Sequence, residues 1–150
     1  MSGMVVGCDV VEVARLERFV ANRAGSLDRV FAPAELADAQ RGGADLGSPI
    51  AAARLAARFA AKEATRKALG GRGPWLTALE VRTDDTGAPS LWVGGAPSDL
   101  ACSLSHDGGV AMAVVVGTRE AAEATLAAAR AARATASRSD AATTDPRPEP

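Results

Sequence analysis

The chain has 150 residues, of which 47% are hydrophobic and 23% are charged, and its formal net charge at pH 7 is -1. This length favours a single domain, and the composition is typical of a globular protein with a real core. The near-neutral charge predicts no overall attraction to nucleic acid or to a membrane surface, so a charged partner would have to bind a local patch.

The N-terminal residues predict a strand followed by a helix. Residues 4–8 are apolar and rich in β-branched side chains, which is typical of a short buried strand, and Asp9 follows that strand directly. Apolar residues then recur at helical spacing, which predicts an amphipathic helix over residues 11–23.

Two further helices are predicted before the middle of the chain. Ala32 and Pro33 begin a short helix, and a glycine-rich loop follows at 41–47. Ser48 is a favourable N-cap, because Pro49 follows it at the first helical position. The long helix that begins there is expected to run to about residue 69, where two glycines end it.

The second half of the chain predicts an antiparallel sheet. Four apolar segments separated by short glycine turns read as strands at residues 79–83, 90–93, 100–105 and 110–116. We therefore expect an α+β fold in which an antiparallel sheet packs against the one long helix.

The C-terminal end divides into two parts. An alanine-rich helix is predicted from 118 to about 134, and the Ser/Thr/Asp/Pro-rich residues 135–150 are expected to form a disordered tail. The domain would thus comprise residues 1–134.

The sequence also indicates the cellular compartment, through the absence of two targeting patterns and through its two cysteines. The N-terminus lacks a signal-peptide pattern, and no run approaches the ~20 apolar residues of a membrane helix. Cys8 and Cys102 lie in apolar runs without metal-ligand spacing. We expect both to be buried, reduced thiols in a cytoplasmic protein that does not enter a membrane.

Charged residues of the long helix form the first candidate site. The chain has only two lysines, Lys62 and Lys67, and both lie in this helix. Glu63 and Lys67 are one turn apart, at the margin between an alanine face and an arc that contains Leu55 and Lys62. The pair is either an ordinary surface pair or part of a site in which the carboxylate binds a cation.

Asp9 supplies a second carboxylate from a different element. Asp9 either caps the following helix or binds a cation together with Glu63. Two carboxylates, with phosphate oxygens and water, are the usual ligands of Mg²⁺. Arg58, Lys62, Arg66 and Lys67 could bind the remaining phosphate charge.

His106 is the only histidine, and it stands beside Ser105 at the end of a predicted strand. It is either a turn histidine bonded to its own backbone or a group that donates to phosphate or moves a proton near neutral pH. The chain carries no glycine-rich phosphate loop in the required strand–loop–helix context.

Three segments together resemble the holo-[acyl-carrier-protein] synthase family of phosphopantetheinyl transferases. They are GCDVVEV at residues 7–13, RFAAKEA continuing to KALG at 58–70, and SLSHD at 103–107. Phe31 and Glu35 also match the F-x-x-x-E spacing of that family. The resemblance covers residues 4–117, and the long-helix segment is its most specific part.

The resemblance implies the 4′-phosphopantetheinyl transferase fold and a magnesium-dependent transfer from coenzyme A to a serine of an apo-acyl carrier protein, with release of adenosine 3′,5′-bisphosphate. Asp9 and Glu63 would hold Mg²⁺, and these two with His106 would form the catalytic set. The residues implied to border the coenzyme phosphates are Arg58, Lys62, Lys67, Ser105 and His106.

Three groups are candidates for accepting the proton of the attacking serine: Glu63, a magnesium-bound water and His106. The first two are favoured. The implied setting is fatty acid biosynthesis, a part of lipid metabolism, and the carrier protein is of the fatty-acid or the polyketide type.

Two partner contacts also follow from the resemblance. Arg15 and Arg18 on the first helix are either docking cations for the acidic carrier protein or part of a solvated face. Members of the family are homotrimers with sites between subunits. The rival hypotheses are a phosphotransferase that uses another pyrophosphate-containing nucleotide and a non-catalytic binding module for coenzyme A or the carrier protein.

Overall fold

A computed structural model describes residues 3–142. Its strands are β1 Met4–Glu12, β2 Leu79–Thr83, β3 Pro89–Val93, β4 Ala96–Pro97, β5 Ala101–Asp107 and β6 Val110–Thr118. Its helices are α1 Val13–Arg23, α2 Pro33–Ala39, α3 Pro49–Ala68 and α4 Arg119–Ala142, and short 3₁₀ turns cover Ala24–Arg29 and Leu76–Ala78.

The strands form two antiparallel sheets of three, in the orders β1-β6-β5 and β2-β3-β4. The predicted α+β class is confirmed, but the strands divide between two sheets instead of one. The division has a local cause, because residues 98–100 separate the β2-β3-β4 meander from the β5-β6 hairpin. The N-terminal strand β1 then pairs with the free edge of β6.

Helix α3 covers one face of the β1-β6-β5 sheet, and its alanine face makes the contact. Ala57, Ala60, Ala61 and Ala64 are all buried. Gly7 permits the closest approach, since a Cβ atom built on it would lie 2.0 Å from the carbonyl oxygen of Ala64. The predicted α3, with Ser48 as its N-cap, is confirmed.

Strand β1 is longer than predicted, which changes the position of Asp9. The β-branched Val10 and Val11 continue the ladder, and Glu12 still pairs with Val110. Asp9 therefore lies inside the strand, opposite Ala113, and does not follow the strand. Helix α1 begins at Val13, two positions later than expected.

Helix α4 continues beyond the predicted end at residue 134 and reaches Ala142. Alanine favours helix, and the hydroxyls of Thr135 and Ser137 donate to the carbonyls of Ala131 and Arg133 inside it. Residues 135–142 thus differ from the predicted disordered tail, and 143–150 lie outside the described residues. Within residues 3–142, no helix has the length and hydropathy needed to cross a membrane.

The second face of the β1-β6-β5 sheet has no helix over it in the described chain. Its exposed apolar side chains include Met4, Val6, Val10 and Met112, and we call this surface the uncovered face. Cys8 alternates with Gly7 and Asp9 and is exposed on this side, so the prediction that it is buried is wrong. The physical reason is the period of two in a strand, which puts Cys8 on the side opposite Gly7.

The close contact at Gly7 predicts that one added methyl group at this position will lower the stability of the fold. Gly7→Ala would drive its Cβ into the backbone of α3, and we expect a loss of about 1–3 kcal/mol in the free energy of unfolding, measured in urea. Gly25→Ala is the matched control, because a Cβ atom added at Gly25 would meet no heavy atom within 4 Å. Equal stability of the two variants would contradict this packing.

Candidate active site

Asp9, Glu63 and Lys67 form one charged cluster where β1 crosses α3. The ammonium of Lys67 donates to Asp9 Oδ1 at 2.9 Å and to the carbonyl of Cys8 at 2.9 Å. The hydrogen bond to Asp9 raises the pKa of Lys67, and the charges of Asp9 and Glu63 add to that effect. Of the two predicted metal ligands, Asp9 bonds this ammonium, and Glu63 is near enough for its charge to act on it.

The backbone explains why these three side chains meet. Asp9 is two residues after Gly7, so it lies on the strand face that α3 covers, while Glu63 and Lys67 are one helical turn apart. Arg66 extends the cluster, since its Nη1 lies 3.2 Å from Glu63 Oε1. The side chain of Asp9 is 18% exposed and that of Lys67 is 56% exposed, so the cluster opens to solvent.

The donor set of this cluster fits magnesium on a phosphate ligand. Mg²⁺ binds proteins through one or two carboxylates, with water and substrate phosphate as its other ligands. Among residues 3–142, no group of three or more Asp, Glu, His or Cys side chains could enclose a metal. Two carboxylates from separate elements therefore suit a shared ion better than a structural metal.

The structure contradicts the prediction that Lys62 borders the coenzyme phosphates. Its side chain is 0% exposed, and its ammonium lies 2.6 Å from Glu35 Oε2, 2.6 Å from the carbonyl of Val30 and 2.9 Å from that of Leu76. An ammonium has three N–H groups, and all three have protein acceptors here. Burial lowers the pKa of Lys62, and the charge of Glu35 opposes that shift.

Glu35 is the important buried residue that site prediction from sequence missed. It is 0% exposed and accepts from the backbone N–H of Ala32 at 2.8 Å and of Val81 at 3.0 Å, in addition to its bond with Lys62. Its only sequence signal was the F-x-x-x-E spacing with Phe31. That spacing indicates family membership but does not name the lysine partner.

Arg58 and His106 line one cleft, and its lining includes neither Asp9 nor Glu63. The cleft has a volume of about 300 Å³. Arg58 is buried, pairs with Asp38 and donates to Thr83 Oγ1 at 3.0 Å. Burial lowers the pKa of Arg58, yet a guanidinium stays charged at neutral pH.

Ser105 lies on the opposite side of the sheet from His106. In the antiparallel register Ser105 is opposite Met112 and His106 is opposite Ala111. Since successive side chains alternate, Ser105 belongs to the uncovered face and His106 to the side of α3. Within one chain, the predicted phosphate-binding residues thus occupy separate surfaces.

Arg15 and Arg18 border an apolar groove on α1. The groove has a volume of about 410 Å³ and includes Phe19 and Phe59. The guanidinium carbon of Arg15 lies 5.8 Å from the ring centre of Phe59, and Arg18 lies 3.7 Å from Glu12. Both cations border the open groove and can reach a partner.

Comparison with known proteins assigns the chain to a family. A family model described as the 4′-phosphopantetheinyl transferase superfamily matches residues 5–116. The chain belongs to this superfamily. The match includes all three motifs and ends before α4, so the helix at the C-terminus lies outside the transferase match.

Similar proteins agree with that assignment. The holo-[acyl-carrier-protein] synthase of Clavibacter sepedonicus is 43% identical over 122 residues, which cover 74% of this chain and 92% of the relative. A Bacillus anthracis synthase solved with CoA (3′,5′-ADP) is 32% identical with a TM-score of 0.62, covering 77% of this chain and 98% of that one.

A third comparison supports the same fold. The ACPS–CoA complex of Chronobacterium ammoniagenes is 28% identical with a TM-score of 0.62, covering 76% of this chain and 96% of that one. The family resemblance and the transferase fold expected from the three motifs are confirmed.

The buried position of Lys62 predicts a loss of stability that exceeds any surface effect. Lys62→Met would leave the carboxylate of Glu35 buried without its cation, and we expect a loss of about 3–5 kcal/mol in the free energy of unfolding. Lys67→Met is the matched control on the same helix, since an exposed ion pair contributes little to the free energy of unfolding. Urea unfolding of both variants tests this, and similar losses would argue against the buried link.

Proposed function

We propose that this chain transfers the 4′-phosphopantetheine arm of coenzyme A to a serine of an apo-acyl carrier protein and releases adenosine 3′,5′-bisphosphate. The cluster of Asp9, Lys67 and Glu63 carries the proposal, because it puts two carboxylates and an ammonium at one solvent-accessible point. Support comes from the superfamily match, and from relatives named as holo-[acyl-carrier-protein] synthases.

The reaction exchanges one phosphorus–oxygen bond for another. The serine oxygen attacks the β-phosphorus of coenzyme A, the bond to the bridging oxygen breaks, and that oxygen leaves on the adenosine bisphosphate. The main requirement is stabilisation of charge on the transferring and leaving oxygens. Lys67 meets it in part, because its partly exposed ammonium is positively charged at neutral pH.

Asp9 and Glu63 are the residues that would hold magnesium. When bound, Mg²⁺ supplies charge neutralisation on the pyrophosphate oxygens. Of the candidate proton acceptors within the chain, Glu63 belongs to the same cluster as Asp9, whereas His106 lines a separate cleft. We therefore assign acceptance of the serine proton to Glu63.

The active form is proposed to be a homotrimer whose subunits meet at the uncovered face. Exposed valine and methionine side chains on β1 and β6 form a continuous apolar surface of the kind that marks a protein interface. Of the predicted phosphate-binding residues, Ser105 belongs to this face, so assembly would bring it against a neighbouring subunit.

The acidic carrier protein is proposed to dock on α1. Arg15 and Arg18 are cations beside an apolar groove, and complementary charge speeds and orients such encounters. The two free thiols are consistent with a cytoplasmic setting. We place the reaction there, in fatty acid biosynthesis or a related carrier-protein pathway.

The transfer itself is tested by intact-protein mass spectrometry. Apo-acyl carrier proteins of the fatty-acid and polyketide types are incubated with the chain, coenzyme A and Mg²⁺, and we expect a mass gain of one phosphopantetheine. The gain should disappear with EDTA and with Asp9→Asn, which removes one carboxylate charge from the cluster. Coenzyme A binding without any mass gain would favour the rival binding module.

The same assay separates docking from chemistry. Arg15→Glu should raise the KM for the carrier protein about tenfold or more, because it reverses one docking charge, while the affinity for coenzyme A stays constant. An unchanged KM would exclude α1 from the carrier interface without affecting the transfer assignment.

The trimer is tested by one charge on the uncovered face. Met112→Lys should convert a trimer into a folded monomer in light scattering and abolish transfer, whereas Ile50→Lys, at an exposed apolar position away from this face, should do neither. Cys8 serves as a reporter, since thiol labelling should become fast only in the monomer. Cys102 should label slowly in both, because burial raises its pKa to about 11. A wild-type monomer would overturn the assembly.

A further inference from the structure

A large basic cavity lies between α4 and the segment that follows α3. It has a volume of about 990 Å³, and its lining includes Trp75 and four arginines: Arg66, Arg72, Arg130 and Arg133. Apolar residues of α4 and of the 3₁₀ turn at Leu76–Ala78 form the rest of its wall. We call it the Arg–Trp cavity.

Most of the positive charge of the Arg–Trp cavity has no carboxylate partner in the described chain, because of its four arginines only Arg66 forms an ion pair there, with Glu63. The carboxylate in the cavity lining, Glu80, already receives two hydrogen bonds of 3.0 Å from Arg82. Among residues 3–142, no ion pair joins a carboxylate to Arg72, Arg130 or Arg133, and the buried Nε of Arg66 has no hydrogen-bond partner. Several guanidinium groups facing one cavity favour an anionic ligand with planar, multidentate acceptors.

An aromatic surface accompanies this charge. Trp75 is 65% exposed, which is unusual for so large an apolar side chain, and the guanidinium carbon of Arg133 lies 5.4 Å from its ring centre. An exposed indole with a neighbouring arginine is a stacking platform for a nucleic-acid base. The cavity is also too large for a single small anion.

We propose that the Arg–Trp cavity binds a nucleoside phosphate, with the base stacked on Trp75 and the phosphate groups bonded by Arg130 and Arg133. These two arginines belong to α4, outside residues 5–116 that match the superfamily. The α4 wall of the site therefore lies outside the family match, whereas Trp75, Arg66 and Arg72 lie within it.

Two sources could supply this ligand chemistry. The nucleotide end of coenzyme A is one, because Arg66 lines the cavity and also bonds Glu63 of the active-site cluster. On this reading the inference rests on the proposed function. A free nucleotide that binds independently of the reaction is the other.

The test uses the full-length chain with Trp92→Phe, which leaves Trp75 as its only tryptophan. Addition of adenosine 3′,5′-bisphosphate should quench the Trp75 fluorescence, and inorganic pyrophosphate, which has no base, should quench it less. Arg130→Ala with Arg133→Ala should weaken nucleotide binding about tenfold or more, as expected for the loss of charged hydrogen bonds. Calorimetry of the double variant provides a readout that does not depend on the fluorophore.

Arg119→Ala is the matched control, because it removes one arginine from the same helix at a position about 16 Å from Arg130 along the helix axis. Unchanged affinity in the Arg130/Arg133 double variant, or no response of Trp75, would overturn the proposal. Competition then assigns the source. Displacement of the bound nucleotide by coenzyme A identifies the coenzyme, and persistence at saturating coenzyme A identifies a separate nucleotide site. Because this assay needs no carrier protein, its failure is distinguishable from a failure of transfer.

Discussion

The buried ion pair between Lys62 and Glu35 is the interaction on which the arrangement of the molecule depends. The ammonium binds the carbonyls that end one 3₁₀ turn and begin the other, while the carboxylate receives N–H groups from the start of α2 and from β2. One pair thus connects α3 to four neighbouring segments. Buried pairs add little net stability compared with apolar substitutes, but removing one partner is costly, so such a pair can specify how elements dock.

Once α3 is held in this way, its helical period distributes consecutive residues among different environments. Lys62 points into the interior, whereas Glu63 reaches the cluster with Asp9, and Ala64 meets the backbone at Gly7. Arg58, one turn before Lys62, points to the cleft that contains His106. A motif that appears as one compact block in sequence therefore serves the core, the sheet contact and two surface sites. The order of its residues is therefore explained by packing as well as by chemistry.

Much of this could be predicted from the sequence, and the failures have identifiable physical causes. The bounds of α3 followed from Ser48, Pro49 and the glycines after it. Asp9 bonds Lys67, whereas the roles expected of Asp9, Glu63 and Lys67 stay predictions. The helical wheel already put Lys62 in an arc with Leu55, yet the prediction treated it as a surface cation. Its partner Glu35 lies on another helix, and no local pattern encodes that pairing. Pairing of β1 with β6 is likewise a long-range choice.

The proposed homotrimer would account for part of the separation of the phosphate-binding residues. Strand alternation forces Ser105 and His106 to opposite sides of one sheet, and α3 holds Arg58 away from the Asp9–Glu63 cluster. Burial of apolar area is favourable by about 25 cal/mol per Å², so the uncovered face supplies a driving force for contact between copies. The uncovered face, whose exposed apolar side chains are unfavourable in a lone subunit, is thus the surface through which a second copy would contribute to the site.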